Sequence, residues 1–132
     1  MDGLLLFAHG ARDPAWARPF EEVARRIRLA RPALPLQLAF LELMQPDIES
    51  AALRLAEAGC TRVHIVPLFL GASGHVRRDV PPLVDKLRAA WGERVQWLLH
   101  PAIGEQEALM QAMADLSLGL LNAGSANEGH AP

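Results

Sequence analysis

The residues of this chain best suited to metal or proton chemistry are its five histidines, two of which stand beside turns of small residues. His9 is followed at once by Gly10, and His75 follows the segment 71–74, Gly-Ala-Ser-Gly. A neutral imidazole binds divalent cobalt, nickel, iron and zinc ions, and it also accepts protons near pH 7. A glycine directly after His9 indicates a tight turn where a backbone passes close to another group. His9 and His75 are therefore candidates for a metal-binding or proton-accepting site.

The histidines also have structural interpretations. By pattern alone, His75 is as readily an exposed loop residue as a ligand. His64 alternates with apolar neighbours in a predicted strand and is expected to be a structural histidine. His100 precedes Pro101 and is expected in a loop, whereas His130 lies in a small, polar terminal segment. Whether His64 or His100 contributes to a site stays open from the sequence.

One carboxylate and three arginines could complete such a site. Glu42 lies within the apolar segment 41–43, where a carboxylate needs either a partner or a proton. An exposed strand end is the structural alternative for Glu42. The guanidinium groups of Arg12, Arg77 and Arg78 match carboxylates in geometry and charge, although each arginine could instead be solvated. Glu42 is thus a catalytic candidate, and the arginines are candidates for binding an acidic substrate.

Four apolar segments alternate with four helical patterns along the chain. The predicted strands cover residues 3–9, 36–43, 62–70 and 95–99, and the predicted helices begin at Asp13-Pro14, at Pro46, after Pro81-Pro82 and near Glu105. Strands that alternate with amphipathic helices predict a parallel sheet with helices on both faces. The expected fold is therefore α/β, with three α/β/α layers around a four-stranded, mainly parallel sheet of the flavodoxin-like kind.

The candidate residues follow the ends of these predicted strands. His9 ends the first strand, Glu42 stands near the end of the second, and a loop of small residues leads from the third strand to His75. Ligands of such sheets bind where the carboxyl ends of the strands meet. The fold prediction therefore brings the two histidines and the carboxylate to one rim of the sheet.

Length and composition fit one domain and exclude several classes of protein. The chain has 132 residues, of which 51% are hydrophobic and 21% charged, so it can bury a core. We expect a domain over residues 1–121, whose last helix covers 105–121, and a disordered tail over 122–132. The net charge of −2 gives no general attraction to nucleic acid or to an anionic membrane.

Other sequence signals bear on location and on cofactors. The lone Cys60 allows neither an intramolecular disulfide nor a thiolate metal site within one chain. No apolar segment approaches the roughly 20 residues that span a bilayer, and the apolar run after Gly3 is too short for a signal peptide. A cytoplasmic protein is therefore expected. The glycine motifs that bind phosphates and the serine nucleophile elbow are absent.

Three segments resemble the sirohydrochlorin cobaltochelatase family in its small, single-domain form. They are Phe7–Pro14 (Phe-Ala-His-Gly-Ala-Arg-Asp-Pro), Ala39–Pro46 and Val66–Pro81, and the resemblance extends in order from about Leu4 to Pro101. The family often has serine where Ala11 stands here and glycine where Ser73 stands. Both residues are small, so the loops are expected to keep their shape.

The resemblance implies a class II chelatase, which inserts a divalent metal, foremost cobalt, into sirohydrochlorin without ATP or an organic cofactor, in cobalamin or siroheme biosynthesis. It implies His9 and His75 as the metal-binding, proton-accepting pair, with Glu42 as a further catalytic candidate. Two pyrrole N–H groups must lose protons as the metal enters, and a neutral imidazole can hold the metal and accept a proton. The substrate is rich in carboxylates, which Arg12, Arg77 and Arg78 would bind.

Several alternatives stay open. The same enzyme class could use iron or nickel, the fold could serve a non-catalytic cobalt or nickel carrier, or the chain could be a flavodoxin-like binding module with structural histidines. Larger family members carry two such domains with the active site between them, so a single domain is expected to form a homodimer that encloses the ring. The expected seam comprises apolar residues near the strand ends, Leu41, Leu43, Phe69 and Leu70.

Overall fold

Four parallel strands form the centre of the fold, as the sequence predicted. This computed structural model describes residues 1–71 and 74–126, but not the side chains of 74–75 and 125–126. The strands are β1 (Asp2–Ala8), β2 (Leu36–Phe40), β3 (Arg62–Pro67) and β4 (Gln96–Leu99). Their order in the sheet is β2-β1-β3-β4. The central position of β1 explains its continuous apolar run, because both of its faces are covered. The predicted α/β class is confirmed.

Four α-helices connect and follow the strands. They are α1 (Arg18–Ala30), α2 (Ile48–Glu57), α3 (Gly74–Trp91) and α4 (Glu107–Ala126). The first helix was predicted to begin at Asp13-Pro14, and a short 3-10 helix, Pro14–Ala17, stands there ahead of α1. The Asp13 carboxylate caps it by accepting a hydrogen bond from the Ala15 N–H at 2.9 Å. Asp47 caps α2 in the same way, accepting from the Ser50 N–H at 2.8 Å.

Side chains alternate between the two faces of the sheet and divide the core accordingly. Leu5 and Phe7 point into the larger cluster, which includes Leu55 of α2 and Val84 of α3. Their neighbours along β1, including Leu6, point to the other face, where α1 packs. Helices α2 and α3 thus cover one face, and α1 covers part of the other.

Three predicted boundaries were wrong. β2 ends at Phe40 rather than at residue 43, and β3 ends at Pro67 rather than at residue 70. The third helix begins at Gly74, ahead of the two prolines that were expected to open it. Pro81 and Pro82 lack the N–H groups that would satisfy carbonyls four residues earlier, but the segment stays helical because Val80 and Val84 are buried against the sheet, with 4% and 0% of their surface exposed.

The largest difference from the predicted fold concerns α4. The helical spacing of Leu109, Met110, Met113 and Leu120 predicts that these side chains face inward. The structure instead leaves every residue from Met110 to 124 exposed, including Met113 at 40% and Leu120 at 63%. The helix also continues to Ala126, past the predicted boundary at 121, and residues 127–132 lie outside the described part of the chain. No helix among the described residues is long and apolar enough to cross a membrane.

Candidate active site

The rim is the edge of the sheet where the carboxyl ends of the strands meet. Hydrogen bonds join the backbone after β1 to the backbone after β2 at this rim. Although β2 ends at Phe40, the Leu41 N–H donates to the Ala8 carbonyl at 2.9 Å and the Glu42 N–H donates to the His9 carbonyl at 3.1 Å. Gly10 makes this approach possible: its φ is +100°, and a Cβ atom there would overlap the carbonyl oxygen of Glu42. The glycine after His9 therefore has the close-approach role that the sequence suggested.

This backbone arrangement places the Glu42 carboxylate beside the His9 ring. His9 Nε2 lies 3.2 Å from Glu42 Oε1, and the side chains are 37% and 49% exposed. A carboxylate at this distance can fix the orientation of an imidazole and stabilise its protonated form. Both groups remain accessible to a substrate and to water, so the pair can exchange protons with either.

Phe69 packs against the inner side of this pair. Its ring meets the His9 ring edge-to-face at a centroid distance of 6.1 Å and the Phe7 ring at 6.2 Å. Only 7% of Phe69 is exposed. The prediction that Phe69 is an exposed residue of the contact between two subunits was therefore wrong, because its ring is buried in the core of its own chain. Phe69 instead restricts the position of His9.

Leu43 has an unusual backbone conformation next to Glu42. Its φ is +64°, in the left-handed region that costs a non-glycine residue about 1–2 kcal/mol, and its side chain is 60% exposed. Strain of this kind concentrates at functional sites. A leucine at this position does not indicate such a conformation, since glycine or asparagine is the usual residue in that region. An exposed apolar side chain is thus held at the rim beside the His9–Glu42 pair.

The remaining candidates lie on the segments that flank this pair. His75 is in the first turn of α3, directly after the loop that follows β3, but its side chain lies outside the described part of the structure. Arg77 and Arg78 are exposed on the following turn, and Arg12 is exposed two residues after Gly10. Among the described side chains, no third His, Cys, Asp or Glu joins a cluster that could hold a metal ion. The structure therefore brings His9 and Glu42 into direct contact, whereas it places the other candidates on neighbouring segments of the chain.

His64 and His100 form a separate polar cluster. His64 Nδ1 lies 2.9 Å from His100 Nε2, the two rings stack at a centroid distance of 5.1 Å, and His64 Nε2 lies 3.3 Å from a carboxylate oxygen of Asp2. The Arg62 guanidinium, and secondarily His64, hold the pKa of the Asp2 carboxyl below its usual value. These partners give His64 the structural surroundings that its pattern suggested. His100 also lines a small cavity of about 120 Å³ together with Arg77.

Comparisons with known proteins match most of this chain. A family model described as CbiX matches residues 3–117. The chain is 28% identical over 93 residues to the sirohydrochlorin cobaltochelatase of Methanopyrus kandleri, an alignment that covers 70% of this chain and 64% of that protein. It is also 28% identical over 115 residues to the sirohydrochlorin ferrochelatase of Priestia megaterium, covering 87% of this chain and 43% of that protein.

Among solved structures, a CbiX protein from Marinobacter aquaeolei VT8 is similar over almost its whole length. The TM-score is 0.81 at 29% sequence identity, and the match covers 95% of this chain and 98% of that one. The chain spans just under two thirds of the length of the Methanopyrus relative. The residues that the family model matches, 3–117, include every candidate site residue.

Proposed function

Because this chain belongs to the CbiX family, we propose that it is an ATP-independent chelatase that inserts a divalent metal ion, foremost cobalt, into sirohydrochlorin. The observation that carries the proposal is the His9–Glu42 pair, 3.2 Å apart at the carboxyl ends of β1 and β2. It joins an imidazole, which binds late transition metals, to a carboxylate at the rim where parallel sheets bind their ligands.

The spacing of the pair suits two ligands of one ion. Ligand atoms about 2.1 Å from a metal, and adjacent in a tetrahedral or octahedral arrangement, lie about 3.0–3.4 Å from each other. His9 Nε2 and Glu42 Oε1 are separated by 3.2 Å. His75, in the first turn of α3, is the proposed third ligand. A site with few protein ligands can hold the ion in transit and still release it to the four nitrogens of the ring.

The same pair can remove the protons that the metal replaces. Insertion of a divalent ion expels two protons from the pyrrole nitrogens, and neutral imidazole is the side chain suited to accept them near pH 7. A proton taken by His9 would create an imidazolium that the Glu42 carboxylate stabilises. Since both side chains are partly exposed, the proton can pass to water, and the imidazole is regenerated for the second one.

The rim also offers groups that fit the substrate's shape and charge. Arg12, Arg77 and Arg78 are exposed, and none of the three forms an ion pair with another described residue. Their guanidinium groups are suited to the peripheral carboxylates of sirohydrochlorin. Leu43 and Leu70, with 60% and 71% of their surface exposed, present apolar surface to the flat ring.

We further propose that the chain works as a homodimer in the cytoplasm, without an organic cofactor and without a nucleic acid or membrane partner. One rim covers one face of a macrocycle, and a second rim related by a two-fold axis would cover the other. Leu43 and Leu70 are exposed and suit this seam, and Leu41 is partly buried beside it. A two-fold dimer would therefore cover both faces of the macrocycle with the same residues from each chain.

Two other functions follow from the same chemistry. A siroheme-forming ferrochelatase or a nickel chelatase would use the same residues, because imidazole binds all of these ions and their supply often decides which is used. The likeness to the Priestia megaterium ferrochelatase favours iron as the second candidate. A non-catalytic carrier of cobalt or nickel would need only the metal-binding part of the site.

Turnover with separate metals tests the proposal. Purified protein is mixed anaerobically with sirohydrochlorin and Co²⁺, Fe²⁺ or Ni²⁺, and the visible spectrum of the ring is followed against a protein-free control. Acceleration is expected with cobalt, and Glu42→Gln should lower it while Glu57→Gln, at the end of α2, leaves it unchanged. Tight cobalt binding without acceleration would instead identify a carrier, and acceleration by iron alone would identify a ferrochelatase.

A further inference from the structure

Helix α4 has an apolar stripe that none of the described residues of its own chain covers. Leu109, Met113, Leu116 and Leu120 follow one another at intervals of four, three and four residues, which places them on one face of a helix. Leu109 is partly buried, but Met113, Leu116 and Leu120 are 40%, 65% and 63% exposed. An amphipathic stripe of this spacing is typical of a helix that packs against another surface.

An apolar groove lies on the face of the sheet that α1 covers only in part. Leu4, Leu6, Val66 and Leu68 form its floor, and α1 forms one side through Val23 and Ile27; the volume is about 560 Å³. The other face of the sheet is filled by α2 and α3. In an α/β/α sandwich this groove is where a second helix would lie beside α1. Within the described residues, no helix fills it.

We infer that α4 fills this groove in a second copy of the chain, so that two copies exchange their C-terminal helices. The inference rests on the proposed homodimer and adds the surface that holds it together. An exchange between two copies covers both apolar stripes and both grooves at once, and a two-fold axis closes the assembly. An antiparallel pairing of the two α4 helices alone would leave both grooves open.

The start of α4 is fixed in a direction that keeps it out of its own groove. The preceding 3-10 helix, Ile103–Glu105, is held to the core because the Gly104 N–H donates to the Phe69 carbonyl at 2.9 Å. Leu109 lines the edge of the groove, and from Met110 onward the helix is exposed. No glycine or proline occurs between residues 105 and 118 to turn it back. Twenty helical residues extend about 30 Å, which is enough to reach a neighbouring copy.

The charges on α4 do not oppose this burial. Glu107 and Asp115 are its only charged residues, and neither belongs to the stripe. Glu107 is in the first turn, where a carboxylate favours the positive end of the helix dipole. Asp115 accepts a hydrogen bond at 2.9 Å from the side-chain amide of Gln111 on its own helix. The stripe can therefore enter an apolar groove without burying a charge.

Cysteine crosslinking distinguishes exchange from the alternatives. One preparation carries Val23→Cys in the groove, and separate preparations carry Met113→Cys, Leu116→Cys or Leu120→Cys on the stripe. A Leu118→Cys preparation, on the opposite side of α4, is the matched control. Each stripe variant is mixed with the groove variant, allowed to exchange subunits, and treated with a short bismaleimide. Cys60 is buried and stays unmodified in native protein.

Exchange predicts a covalent link between a groove chain and a stripe chain in at least one mixture, at several times the yield of the Leu118→Cys control. A chain carrying Val23→Cys together with the reactive stripe cysteine should give a covalent dimer. Closure of that double variant within one chain would overturn the inference, because α4 would then fill its own groove. A particle mass near 14.4 kDa, or a dimer that crosslinks in none of the mixtures, would also overturn it.

The proposed activity is tested independently of the exchange. Wild-type protein is assayed for metal insertion, and its mass is measured by light scattering under the same conditions. An exchanged dimer without metal insertion would leave this inference standing and contradict the proposed function. An active monomer would overturn the exchange and the proposed homodimer, and it would leave the proposed metal insertion standing.

Discussion

Gly10 lies directly against the backbone of Glu42, so closely that a Cβ atom on residue 10 would overlap the Glu42 carbonyl oxygen. The contact joins the segment after β1 to the segment after β2, and it sets the distance between the His9 ring and the Glu42 carboxylate. The geometry of the candidate active site thus depends on a residue that has no side chain to contribute.

We expect Gly10→Ala to destabilise the protein by about 2 kcal/mol or more, because it adds both an overlap and a side chain at a φ of +100°. Urea unfolding followed by circular dichroism measures the change. Gly71→Ala is the matched control, since a Cβ there meets nothing within 4 Å. Equal stability of the two variants would mean that the loops at residues 10 and 42 separate freely.

We expect His9→Ala and His75→Ala each to lower the rate of metal insertion by about 100-fold or more, since a positioned proton acceptor alone contributes that much. The His9→Ala variant should retain the fold, because the His9 side chain is 37% exposed, and circular dichroism checks the fold of both variants. His64→Ala is the control histidine variant, and it should keep near-normal turnover. Normal turnover in a folded His9 or His75 variant would remove that residue from the site.

We expect the rate of metal insertion to rise with pH across the range in which histidine side chains generally lose their proton, about pH 5.5 to 8. A protonated imidazole has no free lone pair, so it neither binds metal nor accepts a proton, and activity appears as the neutral form replaces it. Initial rates between about pH 5.5 and 8 give the profile. A flat profile would indicate that imidazole is not the working group.

We expect Arg77→Glu and Arg78→Glu to raise KM for sirohydrochlorin more than they lower kcat. Contacts with peripheral carboxylates bind the ground state and the transition state alike, so their loss acts mainly on KM. Arg54→Glu on α2, where the arginine contacts Gln37, is the control. If both kinetic constants are unchanged, the two arginines are simply solvated.

We expect Leu43→Asn to keep or slightly raise the stability of the protein while it raises KM for sirohydrochlorin. Asparagine tolerates the left-handed conformation better than leucine, so the strain at a φ of +64° is relieved, but the exposed apolar surface beside Glu42 is lost. Thermal unfolding and steady-state kinetics together check both effects. A lower melting temperature with an unchanged KM would contradict the assignment of Leu43 to the rim.

The parallel sheet and the position of His9 could be predicted because their signals are local. The apolar run of β1 followed by Gly10 marks a buried strand and a tight turn, and strand–helix alternation then sets the topology. The start of α3 could not be predicted, because Pro81-Pro82 favours a helix beginning, whereas burial of Val80 and Val84 extends the helix past both prolines. Long-range packing outweighs the local preference there.

Two features of the structure could not be predicted from the sequence. The φ of Leu43 is set by the bend that returns the chain towards β1, and leucine itself gives no indication of it. The spacing of Leu109, Met113 and Leu120 predicts an apolar helix face. It does not say whether the covering surface belongs to the same chain, and for this reason the expectation that α4 packs inward was wrong.

The central position of β1 affects how the protein folds during synthesis. β1 is made early, yet one of its two neighbours in the sheet is β3, whose Arg62 pairs with Asp2 across 60 residues of chain. At a translation rate of roughly 5–20 residues per second, the β1 segment waits about 3–12 seconds for that neighbour. During this interval β1 can pair only with β2, so the other edge of its Leu-Leu-Leu-Phe run is unpaired and prone to aggregation until residue 67 emerges from the ribosome.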